Sequence, residues 1–198
     1  MAKPKLAYFN FNGGRGEDCR LALHAAGVDF EDDRVDPPTW GARKPTTPYG
    51  ALPTFERDGK TLGQSNAILT LIGRENGMHP TDLWEAGRHE AILNAVEGLR
   101  STVEKVMTVK DPEKKKAARE EMAAGPLQSW GGYFEAQLGD GPFLGGDKLF
   151  VADLKLWVVM KWFRTGGIDH VEKTVFDGFS KLTAHYNAVS NRPAVKSW

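Results

Sequence analysis

Along the first eighty residues the apolar positions come in short bursts divided by turn residues. Leu6-Ala7-Tyr8-Phe9 reads as a strand, ended by the polar, glycine-rich Asn12-Gly13-Gly14. From Glu17 to Ala26 the apolar Leu21, Leu23, Ala25 and Ala26 fall at helical spacing, and Gly27 is a fitting stop. Val28 to Val35 reads as a second strand. Leu52 to Glu56 and Thr61-Leu62, joined through Asp58-Gly59, read as a hairpin. Gln64-Ser65 then opens a helix that carries Ile68, Leu69, Leu71 and Ile72, with Ser65 as its cap. The order β-α-β, loop, β-β-α predicts a mixed sheet with helices packed on it.

Gly77-Met78-His79-Pro80 interrupts the pattern and reads as a linker. Beyond it no strand is expected. Asp82 to about Met107 forms one long amphipathic segment. Asp111 is placed to cap a second helix with Pro112 as its first residue, running to Gly139-Asp140-Gly141-Pro142. Val151 to Arg164 is apolar nearly all round, as in a helix at the centre of a bundle. Phe179 to Val189 is one more helix, followed by a tail from Pro193. The expected organisation is a small α/β domain over residues 1–80 and an all-helical domain over 81–198.

The chain has 198 residues, 40% of them apolar, including six Trp and ten Phe. That is ample for a buried core and too rich for disorder. Lys plus Arg and Asp plus Glu number 26 each. A neutral chain makes nucleic acid and anionic membranes poor default partners. No run approaches the roughly 18 apolar residues of a membrane span. The single cysteine, Cys19, excludes an internal disulfide framework and a cysteine cage for metal. With no signal-peptide pattern at the start, a soluble cytoplasmic protein in a reducing compartment is expected.

Several chemical motifs are missing. His89-Glu90 is followed by Leu93 where a zinc-protease helix requires histidine. Gly14-x-Gly16 continues to Cys19 rather than glycine, and no Gly-Lys-Ser/Thr or Gly-x-Ser-x-Gly occurs. What remains is an ordered set in the first domain: Tyr8 at a strand end, Arg15 at the mouth of the first helix, Trp40 and Lys44 in a loop, Leu52-Pro53 at a strand start, and Gln64-Ser65 at a helix start. Taken singly, each has a plain structural reading: core aromatic, surface charge or helix cap. Cys19 reads as a small buried hydrophobe, about a turn inside its helix and without a partner cysteine.

As a set, Tyr8-Phe9-Asn10, Gly14-Arg15-Gly16-Glu17 with Arg20, Trp40 with Lys44, Pro48 to Pro53 and Gln64 to Ile68 resemble the cytosolic glutathione S-transferases, most of all the sigma class that includes haematopoietic-type prostaglandin D synthases. Gly146 to Asp153 is similar to the family's loop into its buried helix. The resemblance implies a thioredoxin-like N-terminal domain, an all-α C-terminal domain and a homodimer. It implies glutathione as co-substrate and a small hydrophobic electrophile between the domains. Tyr8 would donate its hydroxyl hydrogen to the glutathione sulfur, helped by Arg15. Pro53 would follow a cis bond, and the backbone of Leu52 would pair with the tripeptide. Gln64, Ser65 and the helix N-terminus suit the γ-glutamyl carboxylate, and Trp40 and Lys44 the glycyl carboxylate. No metal is implied.

The chain departs from the family pattern in four places. The loop after Tyr8 has an extra residue, and Ala51 replaces a longer polar side chain. Phe150 stands where a Ser or Thr cap is usual, leaving Asp153 to cap the helix alone or with backbone on the Lys148 side. The acid that in relatives crosses the dimer to the glutathione ammonium falls at Gly98, with Glu97 as the neighbouring substitute. Two other activities stay open on this pattern: a glutathione-dependent isomerase of the prostaglandin type, and a non-catalytic, crystallin-like binding protein.

Overall fold

A computed structural model describes residues 3–198. Strands β1 (Lys5–Phe9), β2 (Glu31–Val35), β3 (Thr54–Arg57) and β4 (Lys60–Gly63) form one mixed sheet in the order β2-β1-β3-β4. β1 runs parallel to β2 and antiparallel to β3, and β3 and β4 make the expected hairpin. Helices α1 (Gly14–Ala25) and α3 (Ser65–Glu75) pack side by side on the sheet. Between β2 and β3 the chain makes short helical turns, among them α2 (Trp40–Arg43).

The second strand is shorter than its apolar pattern predicts. Gly27, at φ 68°, ends α1, and the N–H groups of Gly27 and Val28 donate to the carbonyls of His24 and Leu23. Residues that close a helix in this way are unavailable to a ladder. Pairing with β1 begins only where the Glu31 N–H donates to the Pro4 carbonyl. The strand itself is an edge, and its charges are neutralised locally, Glu31 by Lys5 at 2.9 Å and Asp32 by Arg34 at 2.7 Å.

After the linker, α4 (Leu83–Met107) starts at Asp82, whose carboxylate accepts from the N–H groups of Trp84 and Glu85. Asp111 caps α5 (Pro112–Ala124) in the same way, through the Lys114 N–H. The long helix expected from there to residue 138 is two helices. It breaks at Gly125, and α6 (Pro126–Gln137) begins on a proline, whose ring and missing N–H forbid a continuous helix.

Helix α7 (Val151–Arg164) has eleven of its fourteen residues buried and packs against α1, α3, α4 and α8 (Ser180–Ser190). Asp153 caps it alone. One carboxylate oxygen accepts from the Phe150 N–H, and the other meets the Leu144 N–H and His185 Nε2. A short α9 (Pro193–Lys196) closes the chain against α1. No helix among the described residues is long and apolar enough to cross a membrane.

Candidate active site

β1 delivers Tyr8 to the seam between the sheet and α7. Its ring is buried because the first turn of α1 closes over it: a Cβ at Gly16 would stand 2.1 Å from the ring, and one at Gly14 2.7 Å from the hydroxyl. No larger residue fits at either position, a requirement that the sequence pattern did not disclose. Burial pushes the Tyr8 phenol above its ordinary pKa, against the opposing pull of the Arg15 backbone N–H and guanidinium. The hydroxyl therefore stays protonated at neutral pH and is available as a donor.

Beneath this turn lies Arg20, fully buried. It donates to Asp32 and to the carbonyls of Phe9 and Phe11, and its guanidinium lies 5.7 Å from the centre of the Tyr8 ring. Arg20 thus ties down the loop that carries the extra residue. Its full burial was the missed signal, since arginine is almost never fully buried unless paired.

Arg15, the second residue of α1, turns towards α4. Its Nε donates to Glu97 Oε2 at 2.7 Å, and its guanidinium lies 3.0 Å from Glu104. The other Glu97 oxygen accepts from Lys155 at 2.6 Å and Arg100 at 3.1 Å. Burial alone would raise the Glu97 carboxyl, but Lys155, Arg100 and Arg15 hold it at about 2. Glu97, expected to stand in for an acid reaching across a dimer, has its carboxylate held by three cations of its own chain. At Gly98 a Cβ would lie 2.6 Å from the Trp130 ring of α6, so an aromatic ring covers this position.

Lys155 is itself fully buried, with its ammonium bonded to Glu97 and to the Asn66 side chain in α3. Asp18, also fully buried, holds Arg100 through both carboxylate oxygens, at 2.6 and 2.8 Å. The seam is thus a dense, mutually neutralised ion network beside Tyr8.

The remaining candidates lie in the loops and helix starts of the sheet-bearing part. The Leu52-Pro53 peptide is cis. Gln64, at φ 70°, occupies the cap position of α3 without a capping side-chain bond, and Ser65 is the first helical residue rather than the cap. The first-turn N–H donors of α3 have no side-chain acceptor. Trp40 packs edge-on against Phe9, with ring centres 5.7 Å apart, and Lys44 is exposed. Cys19 is fully buried with its thiol against the Ser65 carbonyl; burial pushes its pKa up, which makes it inert as a nucleophile. No metal-holding cluster of His, Cys, Asp or Glu is found among the described residues.

Above Tyr8 opens a cavity of about 440 Å3, walled by Phe11, Trp157, Val158 and Trp162. Three of these four residues come from α7.

Residues 4–74 match the family model described as the glutathione S-transferase N-terminal domain, and residues 97–198 match its C-terminal counterpart. The chain belongs to the glutathione S-transferases. Its relatives include the probable glutathione S-transferase 7 of Caenorhabditis elegans, 30% identical with 100% of this chain and 96% of that protein covered. The hematopoietic prostaglandin D synthase of Gallus gallus is 29% identical over the same shares. Among solved structures, a prostaglandin synthase D of Nilaparvata lugens superposes with a TM-score of 0.86 at 29% identity, covering 100% of this chain and 96% of that one. Glutathione S-transferases take glutathione as co-substrate, and this enzyme does the same.

Proposed function

We propose that the Tyr8 hydroxyl donates a hydrogen bond to the sulfur of bound glutathione, so that the thiol releases its proton to solvent and the thiolate attacks a small hydrophobic electrophile held in the cavity between residues 1–80 and 81–198. The observation that carries this reading is the buried, protonated Tyr8 hydroxyl at the cavity floor. A thiol of pKa about 8.5 is only a few per cent ionised at pH 7. Lowering that by two units takes about 2.7 kcal/mol, and one hydrogen bond to a charged group supplies roughly 1.5–3 kcal/mol. The Arg15 backbone N–H meets the Tyr8 hydroxyl oxygen and leaves its hydrogen for the sulfur. Ser65, Gln64 and the open first turn of α3 receive the γ-glutamyl carboxylate. Trp40 and Lys44 receive the glycyl carboxylate, and the Leu52 backbone ahead of Pro53 pairs with the peptide.

The test is Tyr8→Phe, which keeps the ring. Ultraviolet absorbance of bound thiolate against pH should show the thiol pKa rising by about one to two units. Conjugation of chlorodinitrobenzene should slow at neutral pH while glutathione still binds. An unchanged thiol pKa would remove Tyr8 from this role. The names of the prostaglandin-synthase relatives favour a second reading, isomerisation of a peroxide with glutathione regenerated. Turnover of an endoperoxide without glutathione consumption distinguishes it.

A two-fold homodimer is part of the same proposal. Tyr49, Leu83, Trp84 and Tyr133 leave large apolar side chains exposed, surface that a partner subunit would cover. Sedimentation at micromolar concentration should give twice the chain mass; a monomer would refute the dimer.

A further inference from the structure

The apolar cavity above Tyr8 meets a second, smaller one of about 260 Å3 lined by Asn12, Glu17, Arg34, Lys161 and Trp198. Asn12, Glu17 and Lys161 border both. A molecule resting on Trp157 in the large chamber therefore has a polar annex within reach at one end. The tryptophan walls of the large chamber are held in place. Trp157 is fixed by a hydrogen bond to Ser190 and stacks on Tyr186, and Trp162 is fixed by the Gly167 carbonyl.

The charges around the two chambers are nearly all taken. Arg15 is held by Glu97 and Glu104, and Arg100 by Asp18 and Glu97. Glu17 accepts the Trp198 indole N–H with one oxygen, and its other oxygen, buried without a hydrogen-bond partner, faces Arg20 at 3.6 Å. Arg34 bonds Asp32 and the Asn12 side chain. Lys161 stands apart. Its ammonium lies 4.9 Å from the centre of the Trp157 ring, and among the described residues no carboxylate is within ion-pair distance. Arg20 and Arg34 balance Asp32 and Glu17, so Lys161 is the surplus charge where apolar chamber and polar annex meet.

We infer that the acceptor site selects electrophiles that pair an apolar or aromatic body with a carboxylate, the body lying against Trp157 and the carboxylate meeting Lys161 in the annex. This rests on the transferase reading. In the step itself the glutathione sulfur bonds to the electrophilic carbon, and the leaving group departs with its bonding pair. The carboxylate takes no part in that exchange and serves only to orient the molecule.

The experiment uses the full chain with glutathione and two aryl chlorides, chlorodinitrobenzoate and the corresponding uncharged chlorodinitrobenzamide. In each, the sulfur–carbon bond forms and chloride leaves. Each kcat/KM is divided by the uncatalysed rate with glutathione. The native enzyme should favour the acid, and Lys161→Gln should lower the acid-to-amide ratio about three- to fivefold, the scale of an exposed ion pair. Lys161→Arg should keep the preference. A native ratio at or below one, or a ratio unmoved in Lys161→Gln, overturns the inference. If neither compound is turned over, the transferase reading fails, and the anion site is judged by binding alone. Tryptophan-fluorescence quenching by dinitrobenzoate should then be about three- to fivefold weaker in Lys161→Gln, and equal affinity overturns the inference.

Discussion

Glu97 accepts hydrogen bonds from an arginine of α1, an arginine of its own helix and a buried lysine of α7. That company makes its ionised form part of the folded state. Its pKa falls from 4.5 to about 2 on folding, so its contribution is fully present above pH 4.5 and is lost as pH falls towards 2. A difference of that size corresponds to roughly 3 kcal/mol. Urea denaturation of the native protein between these limits should show the loss, and Glu97→Gln should flatten that part of the pH profile while lowering stability at neutral pH. A variant as stable as the native protein at pH 7 would mean that the three cations find other partners without cost. Tyr8 and Arg15 could be chosen from the sequence because residue type and order carry the chemistry. The intrachain role of Glu97 could not, because its partners lie as far as 82 positions away along the chain.

At the scale of elements, what could be read from the sequence was what local rules govern. β1, the β3–β4 hairpin, the cap at Asp111 and the bounds of α7 all follow from spacing, turn residues and N-cap chemistry. The pattern failed where a local signal was overridden or overlooked. Val28 to Phe30 have strand-like composition, but the helix stop claims the N–H of Val28. Pro126 sits in a segment of helical periodicity that it must divide. The contact of α4 with α6 belongs to neither class, since nothing near Gly98 in the chain announces Trp130. That ring lies over Gly98 with its indole N–H donating to Thr102 at 3.1 Å. Gly98→Ala should therefore force the ring aside and cost about 1–3 kcal/mol, the usual range for overpacking. Chemical denaturation would measure it. Combining it with Trp130→Leu should cost less than the sum of the single changes, since the two groups contest one space. Strict additivity would show that they do not.

Across the whole molecule, the sheet-bearing part and the helical part meet through α7 rather than through a flexible joint. The Val151 N–H donates to the Met78 carbonyl in the linker, and Lys155 reaches Asn66 in α3. Lys155→Met keeps the bulk but leaves Glu97 and Asp18 with less positive charge in a dry seam. The expected loss is about 3–5 kcal/mol, as for breaking a buried ion pair, read as a lower denaturation midpoint. Stability within 1 kcal/mol of native, by contrast, would be the outcome in which apolar packing replaces the pair, about what some buried ion pairs allow.

The seam has one more consequence, for how such a chain can be recombined with its relatives. Arg15 and Asp18 together carry no net charge, and neither do Glu97, Glu104, Arg100 and Lys155, yet the bonds run from one group to the other: Arg15 to Glu97 and Glu104, Asp18 to Arg100 and Lys155. A crossover in the linker would give each half a foreign partner with its own set of charges. Whether such a hybrid folds would be decided by the match at these six positions, whatever the identity of the parents elsewhere.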